Sequence, residues 1–356
     1  MSDDTDAAYM RRALRLAARA AGRTSPNPLV GAVVVSDGKI VGEGYHRAAG
    51  EPHAEVNALR KAGAAARGGT IYTNLEPCAH TGRTPPCVSA IKEAGVARVV
   101  AAMRDPDPRT NGKGFRGLRD AGIEITVGVL ADEAARLNAG FISRLTRGRP
   151  FVLIKLAATI DGRVAVPGRR YLSGKAALKE VHRLRDRFDA VLVGIGTVIA
   201  DDPALTVREI KGRDPLRIVV DADARTPVNA KIVRAKDPER SVIFVARDAN
   251  VRRTNRLRDA GVSLVTVPRS DGGVDLSAVL RWLGEHGVNT VLSEAGPHVA
   301  GSLVRSGLAD RVLFLLSPIA GGDGPPALDG VAKPADLRDV RIRRMGADLA
   351  VEGALA

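Results

Sequence analysis

The chain of 356 residues is poor in several things, and each shortage excludes a class of protein. It has only 2 cysteines, which excludes a disulfide-stapled secreted scaffold. Aromatic residues make up 3% of the sequence, too few for the stacking platforms that hold single-stranded nucleic acid. It has no apolar run of the roughly eighteen residues that a membrane-spanning helix needs. The start, Met1-Ser2-Asp3-Asp4-Thr5-Asp6, is acidic and lacks the apolar core of a secretory signal. A cytoplasmic protein without a membrane partner is the expectation.

The remaining composition is that of a soluble globular protein, 45% hydrophobic and 26% charged. The length suggests two domains, each large enough to bury a core. Lys and Arg number 54 against 40 Asp and Glu, a formal charge of +14. The arginines are dispersed through every segment rather than gathered into a tail. That distribution suits small anionic ligands, phosphate esters and a dinucleotide, and no nucleic-acid partner is expected.

Both cysteines belong to one motif. His53-Ala54-Glu55 is followed by Glu76-Pro77-Cys78 and then by Cys87. One imidazole and two thiolates form a three-ligand zinc set whose fourth position is left for water, the arrangement of catalytic rather than structural sites. Such a metal lowers the pKa of water toward neutrality. Glu55 is the expected proton shuttle. If both residues were helical, positions two apart would diverge by roughly 200°, leaving Glu55 outside the ligand set. A structural zinc knuckle or a buried thiol pair is the plainer alternative, although structural sites usually close with a fourth Cys or His. The His-x-Glu, Pro-Cys, Cys pattern resembles that of zinc nucleobase deaminases, with the residues Ala79 to Pro86 between the cysteines where the general signature has two.

In chain order, apolar residues at helical spacing predict a helix from Asp6 to about Ala21. The run ending at Val35, Asp37-Gly38 and Ile40 to Gly44 read as a hairpin. Pro52 is expected to open the helix carrying His53 and Glu55, and Thr70 to Asn74 reads as a strand. Cys78 then falls in a strand-end loop, and Cys87 in the first turn of the helix after Pro85-Pro86, where the helix dipole favours thiolate. Gly112-Lys113-Gly114 lacks Walker spacing and reads as a turn. A helix from Asp132 to Arg147 ends the first half, and Arg147-Gly148-Arg149-Pro150 is the candidate linker. Beyond it strands and helices alternate again. Gly194-Ile195-Gly196-Thr197 follows a strand, but Ile199 stands where a Rossmann fingerprint needs its third glycine. The charged tail after Val340 carries no readable signal.

The insert Ala-His-Thr-Gly-Arg-Thr-Pro-Pro between the cysteines resembles that of the bifunctional riboflavin-biosynthesis deaminase-reductase family. The second half resembles the reductase of that family in Lys155-Leu156-Ala157, Asp161-Gly162, Leu184-Arg185, Gly196 to Pro203, Leu205 to Arg208 and Glu294-Ala295-Gly296-Pro297. The resemblance implies an α/β protein with a cytidine-deaminase-like α/β/α domain over 1–147 and a dihydrofolate-reductase-like α/β domain over 148–356. It implies zinc on His53, Cys78 and Cys87, with Glu55 catalytic, and NADPH in the second domain. The substrate would be a phosphoribosylaminopyrimidine, deaminated first and then reduced at its ribosyl group. A homo-oligomer is expected.

By the same resemblance Asn27, His46 and His80 face the substrate of the deaminase, while Arg83 and Thr84, from their place in the loop between the cysteines, are expected to bind its ribose phosphate. In the bland reading Asn27 caps a turn, His46 and His80 are spare ligands or polar loop residues, and Arg83 is a solvated surface cation. In the reductase, Arg185, Leu205, Arg208 and Glu294 would face substrate, with Arg185 and Arg208 forked onto its phosphate and Lys155 orienting or protonating the sugar. Ala157, Tyr171, Thr197, Asp201 and the stretch Gly296, Pro297, His298, Val299, Ala300, Gly301 and Ser302 would face NADPH, the last with backbone N–H groups for pyrophosphate. Tyr171 stands where the family usually has Trp. Ala295 stands where it usually has a second Gly, and its methyl group is expected to crowd the phosphate. The alternative function is an RNA-editing or other nucleic-acid-editing deaminase with an appended basic domain.

Overall fold

The computed structural model describes residues 3–81, 85–169, 171–270, 272–321 and 324–355. The chain divides into two compact units, Met1–Gly148 and Arg149–Ala356. Among the described residues, no helix is long and apolar enough to cross a membrane.

The first unit runs α1 (Asp3–Ala18), β1 (Gly31–Ser36), β2 (Lys39–Tyr45), α2 (Ala54–Ala62), β3 (Thr70–Thr73), α3 (Cys87–Glu93), β4 (Arg98–Ala101), α4 (Lys113–Arg119), β5 (Glu124–Val127), α5 (Ala131–Leu137) and α6 (Ala139–Arg147). Its described strands form one sheet in the order β2-β1-β3-β4-β5. β1 is antiparallel to both neighbours, and β3, β4 and β5 are parallel. Successive strand residues point to opposite faces, so β1 serves two cores. Ala32 and Val34 pack with α2, α3 and α4, while Val33 and Val35 pack with α1 and α5. The result is an α/β/α sandwich.

Asp37 and Gly38 both take positive φ, 51° and 72°, as a tight hairpin turn requires. Three local expectations need correction. The first helix spans Asp3–Ala18 rather than 6–21. Pro52 does not open α2: His53 is its N-cap in an extended conformation, φ −69° and ψ 163°, so the argument from helical spacing does not apply and the bend at the cap separates His53 from Glu55. The expected helix over 132–147 is broken at Asn138, whose side-chain amide clamps the backbone of Leu29, accepting from its N–H at 2.8 Å and donating to its carbonyl at 3.0 Å.

The second unit runs β6 (Phe151–Thr159), α7 (Lys175–Arg187), β7 (Ala190–Gly194), α8 (Ile195–Asp201), β8 (Leu216–Val220), β9 (Ser241–Ala246), α9 (Val251–Asp259), β10 (Ser263–Val267), β11 (Arg269–Ser270), β12 (Gly273–Val274), α10 (Leu276–Glu285), β13 (Thr290–Ser293), α11 (Pro297–Arg305), β14 (Arg311–Ser317), β15 (Leu337–Met345) and β16 (Asp348–Leu355). Its main sheet has the order β10-β9-β8-β7-β13-β6-β14-β16-β15 among the described residues. It is parallel from β10 to β14 and closes with an antiparallel hairpin. Helices cover both faces: α10 and α11 on the side of Val152 and Ile154, α7 to α9 on the side of Val191 and Val193. The tail after Val340, where no element is expected, is this hairpin. Its Arg-rich strand β15 is mostly exposed, so no buried face marks it in the sequence.

Gly44 lies where β2 passes beneath α2, and a Cβ there would collide with the Ala54 carbonyl and the Ala58 amide. Gly44→Ala must push α2, and the residues at its N-terminus, off the sheet. Urea unfolding of this variant should show a loss of about 1–3 kcal/mol, the usual cost of overpacking, and an unchanged midpoint would contradict this seating.

Candidate active sites

In the first unit His53, Cys78 and Cys87 converge so that their ligand atoms lie within 4.8 Å of one another. The N-cap bend aims His53, the loop after β3 delivers Cys78, and the first turn of α3 delivers Cys87. His53 Nδ1 is 3.2 Å from Cys87 Sγ and 3.5 Å from Cys78 Sγ. The backbone N–H of Cys87 donates to Cys78 Sγ at 3.4 Å. Cys78 is held down to about 4, first by the thiol of Cys87 and against burial, then by His53, while the Cys78 thiolate and burial push Cys87 up. A softly basic, anionic N/S₂ donor set of this kind fits zinc.

Glu55 is buried beside the donors, and burial followed by the Cys78 thiolate pushes its carboxyl up. His46 packs edge-on against His53, with ring centres 5.4 Å apart. Burial holds His46 below its ordinary pKa, so it is neutral at pH 7. A neutral ring with these partners donates from Nδ1 to the Pro52 carbonyl at 3.3 Å and accepts at Nε2 from the Asn27 amide at 3.0 Å. His80 reaches the Thr110 hydroxyl at 3.3 Å. Asn27 and His46 are thus joined beside the donors, whereas Arg83 and Thr84 lie outside the described residues.

The second unit contains a cleft of about 2070 Å³ at the carboxyl ends of β6, β7, β8 and β13, where open α/β sheets bind ligands. That volume exceeds the roughly 300–1,000 Å³ of a single-ligand pocket and leaves room for a substrate beside a dinucleotide. On its floor lies Glu294, whose side chain is 7% exposed. Arg185 forks onto it at 2.6 and 2.9 Å, and Lys155 Nζ lies 3.3 Å away. Burial alone would raise this carboxyl, but Lys155 and then Arg185 overcome it and hold Glu294 at about 2.

This geometry revises the expectation for Arg185. Its fork is committed to Glu294, and its remaining amino group donates to the Thr206 carbonyl at 3.0 Å, so phosphate would have to displace a buried partner. Arg208 is exposed at the rim, and its backbone N–H donates to His182 Nδ1 at 3.1 Å. His182, unmarked in the sequence, is buried against the cleft and kept neutral by burial and by the charges of Arg185 and Arg208. Leu205 lines the cleft in a left-handed conformation, φ 52°, unusual for a side chain of its size.

Ala157, Thr197, Asp201, Gly296, Pro297, His298, Val299 and Ser302 all line the cleft, and Tyr171 stands 58% exposed at its edge. Gly296 caps α11 in extended conformation with no side-chain cap, so the first-turn N–H groups are available to an anion. Ala300 and Gly301 do not line the cleft: helical periodicity turns Ala300 into the core, and Gly301 packs against the Asp329 backbone. Ala295 packs into the same core and also lines the cleft.

Because the folded-state pKa of Glu294 is depressed, its contribution to stability is present above the ordinary value of 4.5 and is lost as pH falls from there toward 2. Acid titration of the second unit, followed by near-UV circular dichroism, should show this loss, and Glu294→Gln should flatten the pH dependence in that window.

A family model for the cytidine and deoxycytidylate deaminase zinc-binding region matches residues 3–103, and one for the RibD C-terminal domain matches residues 150–351. The riboflavin biosynthesis protein RibD of Escherichia coli (strain K12) is 42% identical, covering 97% of this chain and 98% of its own. That of Aquifex aeolicus is 40% identical, covering 99% of each. Among solved structures, Acinetobacter baumannii RibD (form 1) superposes with a TM-score of 0.90 at 35% identity over 100% of both chains. A Thermotoga maritima diaminohydroxyphosphoribosylaminopyrimidine deaminase/5-amino-6-(5-phosphoribosylamino)uracil reductase superposes with a TM-score of 0.86 at 34% identity over 99% of each. Matched in both halves and aligned nearly end to end, the chain belongs to the RibD family of bifunctional riboflavin-biosynthesis deaminase/reductases.

Proposed function

We propose that residues 1–147 hydrolyse the 2-amino group of 2,5-diamino-6-(5-phosphoribosylamino)pyrimidin-4-one, and that residues 148–356 reduce the ribosyl group of the resulting uracil to ribityl. The observation that carries this reading is the convergence of His53, Cys78 and Cys87 beside buried Glu55, in one chain with a cleft built on Lys155 and Glu294. Zinc supplies a centre at which water ionises near neutral pH, and NADPH supplies hydride.

In the deaminase Glu55 takes the proton of the attacking water and passes protons to the departing amine, which leaves as ammonia. A carboxyl pushed upward by burial is suited to such traffic. Asn27, oriented by His46, holds one edge of the base, and His80 closes another. Arg83 and Thr84 are assigned the ribose phosphate on sequence grounds. In the reductase Lys155, ion-paired with Glu294 at 3.3 Å, protonates or orients the sugar as it opens. Glu294 and Arg185 hold that lysine in place, Arg208 takes the phosphate, and Leu205 shapes the wall. Thr197 and Asp201 meet the cofactor's polar groups, the α11 N-terminus its pyrophosphate, and Tyr171 its ring. We further propose a cytoplasmic homo-oligomer. Two free thiols support a reducing compartment, and the exposed Val340 and Ile342 on the edge strand β15 support self-association. A nucleic-acid-editing deaminase would leave the second cleft without a role.

Glu55→Gln should lower ammonia release by about 10²–10⁴-fold while zinc stays bound. Lys155→Met should slow NADPH oxidation on the deaminated intermediate by about a hundredfold. In an assay coupling ammonia release to NADPH oxidation, chelation should abolish the first step and spare the second when intermediate is supplied. Undiminished deamination after complete zinc removal would refute the reading.

A further inference from the structure

Glu76 directly precedes Pro77-Cys78, is buried, and is not one of the three donors. Its carboxylate collects four backbone N–H groups from one distant segment, the loop after β4 and the first turn of α4. Oε2 accepts from Asp105 at 3.2 Å and Gly112 at 2.9 Å, and Oε1 from Gly114 at 3.0 Å and Phe115 at 3.3 Å. A carboxylate has about four acceptor sites, so the backbone of this one segment fills them. The two segments also touch directly. A Cβ on Gly114 would collide with the Pro77 carbonyl, so the loop can come this close only with glycine at that position. Thr110, in the same loop, meets His80 beyond Cys78.

Cys78 itself lies outside regular structure. Besides Glu76, its turn is tied down by the Val88 N–H donating to the Cys78 carbonyl at 3.3 Å and by the Cys87 N–H donating to its sulfur. We infer that Glu76 is a positioning residue for the metal: a buried carboxylate clamp that locks the Cys78 turn to the segment 105–115, the loop after β4 with the start of α4, setting the metal donors and the His80 side of the base pocket together. This rests on the reading of His53, Cys78 and Cys87 as a zinc site. Coupling of this kind is reciprocal. A clamp that favours the ligating position of Cys78 must itself be strengthened when metal binds.

The test uses the full chain with zinc. Glu76→Gln keeps the shape but turns an NH₂ group toward two N–H donors. It should weaken zinc by about 10–100-fold in chelator competition, as loss of an outer-shell partner does. It should also alter the cobalt–thiolate absorption of the cobalt-substituted protein while the NADPH-linked activity stays at wild-type level. In the wild-type chain, stripping zinc should speed hydrogen exchange of the Asp105, Gly112, Gly114 and Phe115 amides by about tenfold relative to those of β4. This second measurement decides the matter if the variant fails to fold. A Glu76→Gln chain that binds zinc as the wild type does, or loop amides indifferent to zinc, overturns the clamp. A wild-type chain that binds no zinc overturns the metal reading itself, and the clamp with it.

Discussion

Two thiols and an imidazole within 4.8 Å of each other, largely shut from water, form a costly arrangement unless a cation takes up their charge. The first unit is organised around meeting that constraint. α2 is seated on β2 through a glycine so that its N-cap aims His53. β3 ends where Cys78 must be, and α3 begins at Cys87, whose thiol is pushed up by the neighbouring Cys78 sulfur and by burial. Glu55 lies in the first turn of α2, close enough to hydrogen-bond Cys87 and to be shifted by the Cys78 thiolate.

The second unit solves the opposite problem. Its central charge is a carboxylate, Glu294, enclosed at the end of β13 and tolerable only because Arg185 and Lys155 converge on it. Removing one partner of such a pair typically costs about 3–5 kcal/mol, so the cluster is rigid as well as charged. Rigidity suits the role proposed for Lys155, which calls for one orientation toward the sugar. The cleft around it grows from strand ends, with an uncapped helix start on one wall and an arginine at the rim.

Much of this was legible in the sequence because the informative features are local. The metal motif, the Asp37-Gly38 turn and the strand expected over 70–74 depend on residue type and short spacing, and they lie where expected. What escaped depends on tertiary contacts. Asn138 breaks a helix of good periodicity because Leu29 offers it a backbone clamp. Arg185 looked available for phosphate because nothing in the chain nearby announces Glu294, more than a hundred residues away. Ala300 and Gly301 lie in a stretch read as uniformly facing cofactor, but a helix turns only part of its circumference to a cleft. Glu76 was visible as a letter beside Cys78, while its four partners are backbone groups that no side-chain pattern encodes.

The central claim, an open zinc site of one histidine and two cysteines, is tested most directly by X-ray absorption at the zinc edge of the purified full-length chain. The account predicts two sulfur scatterers at about 2.3 Å and two nitrogen or oxygen scatterers at about 2.0–2.1 Å, one of them exchangeable with added anions. A shell without sulfur, or one whose light ligands are both histidines and do not exchange, would contradict it.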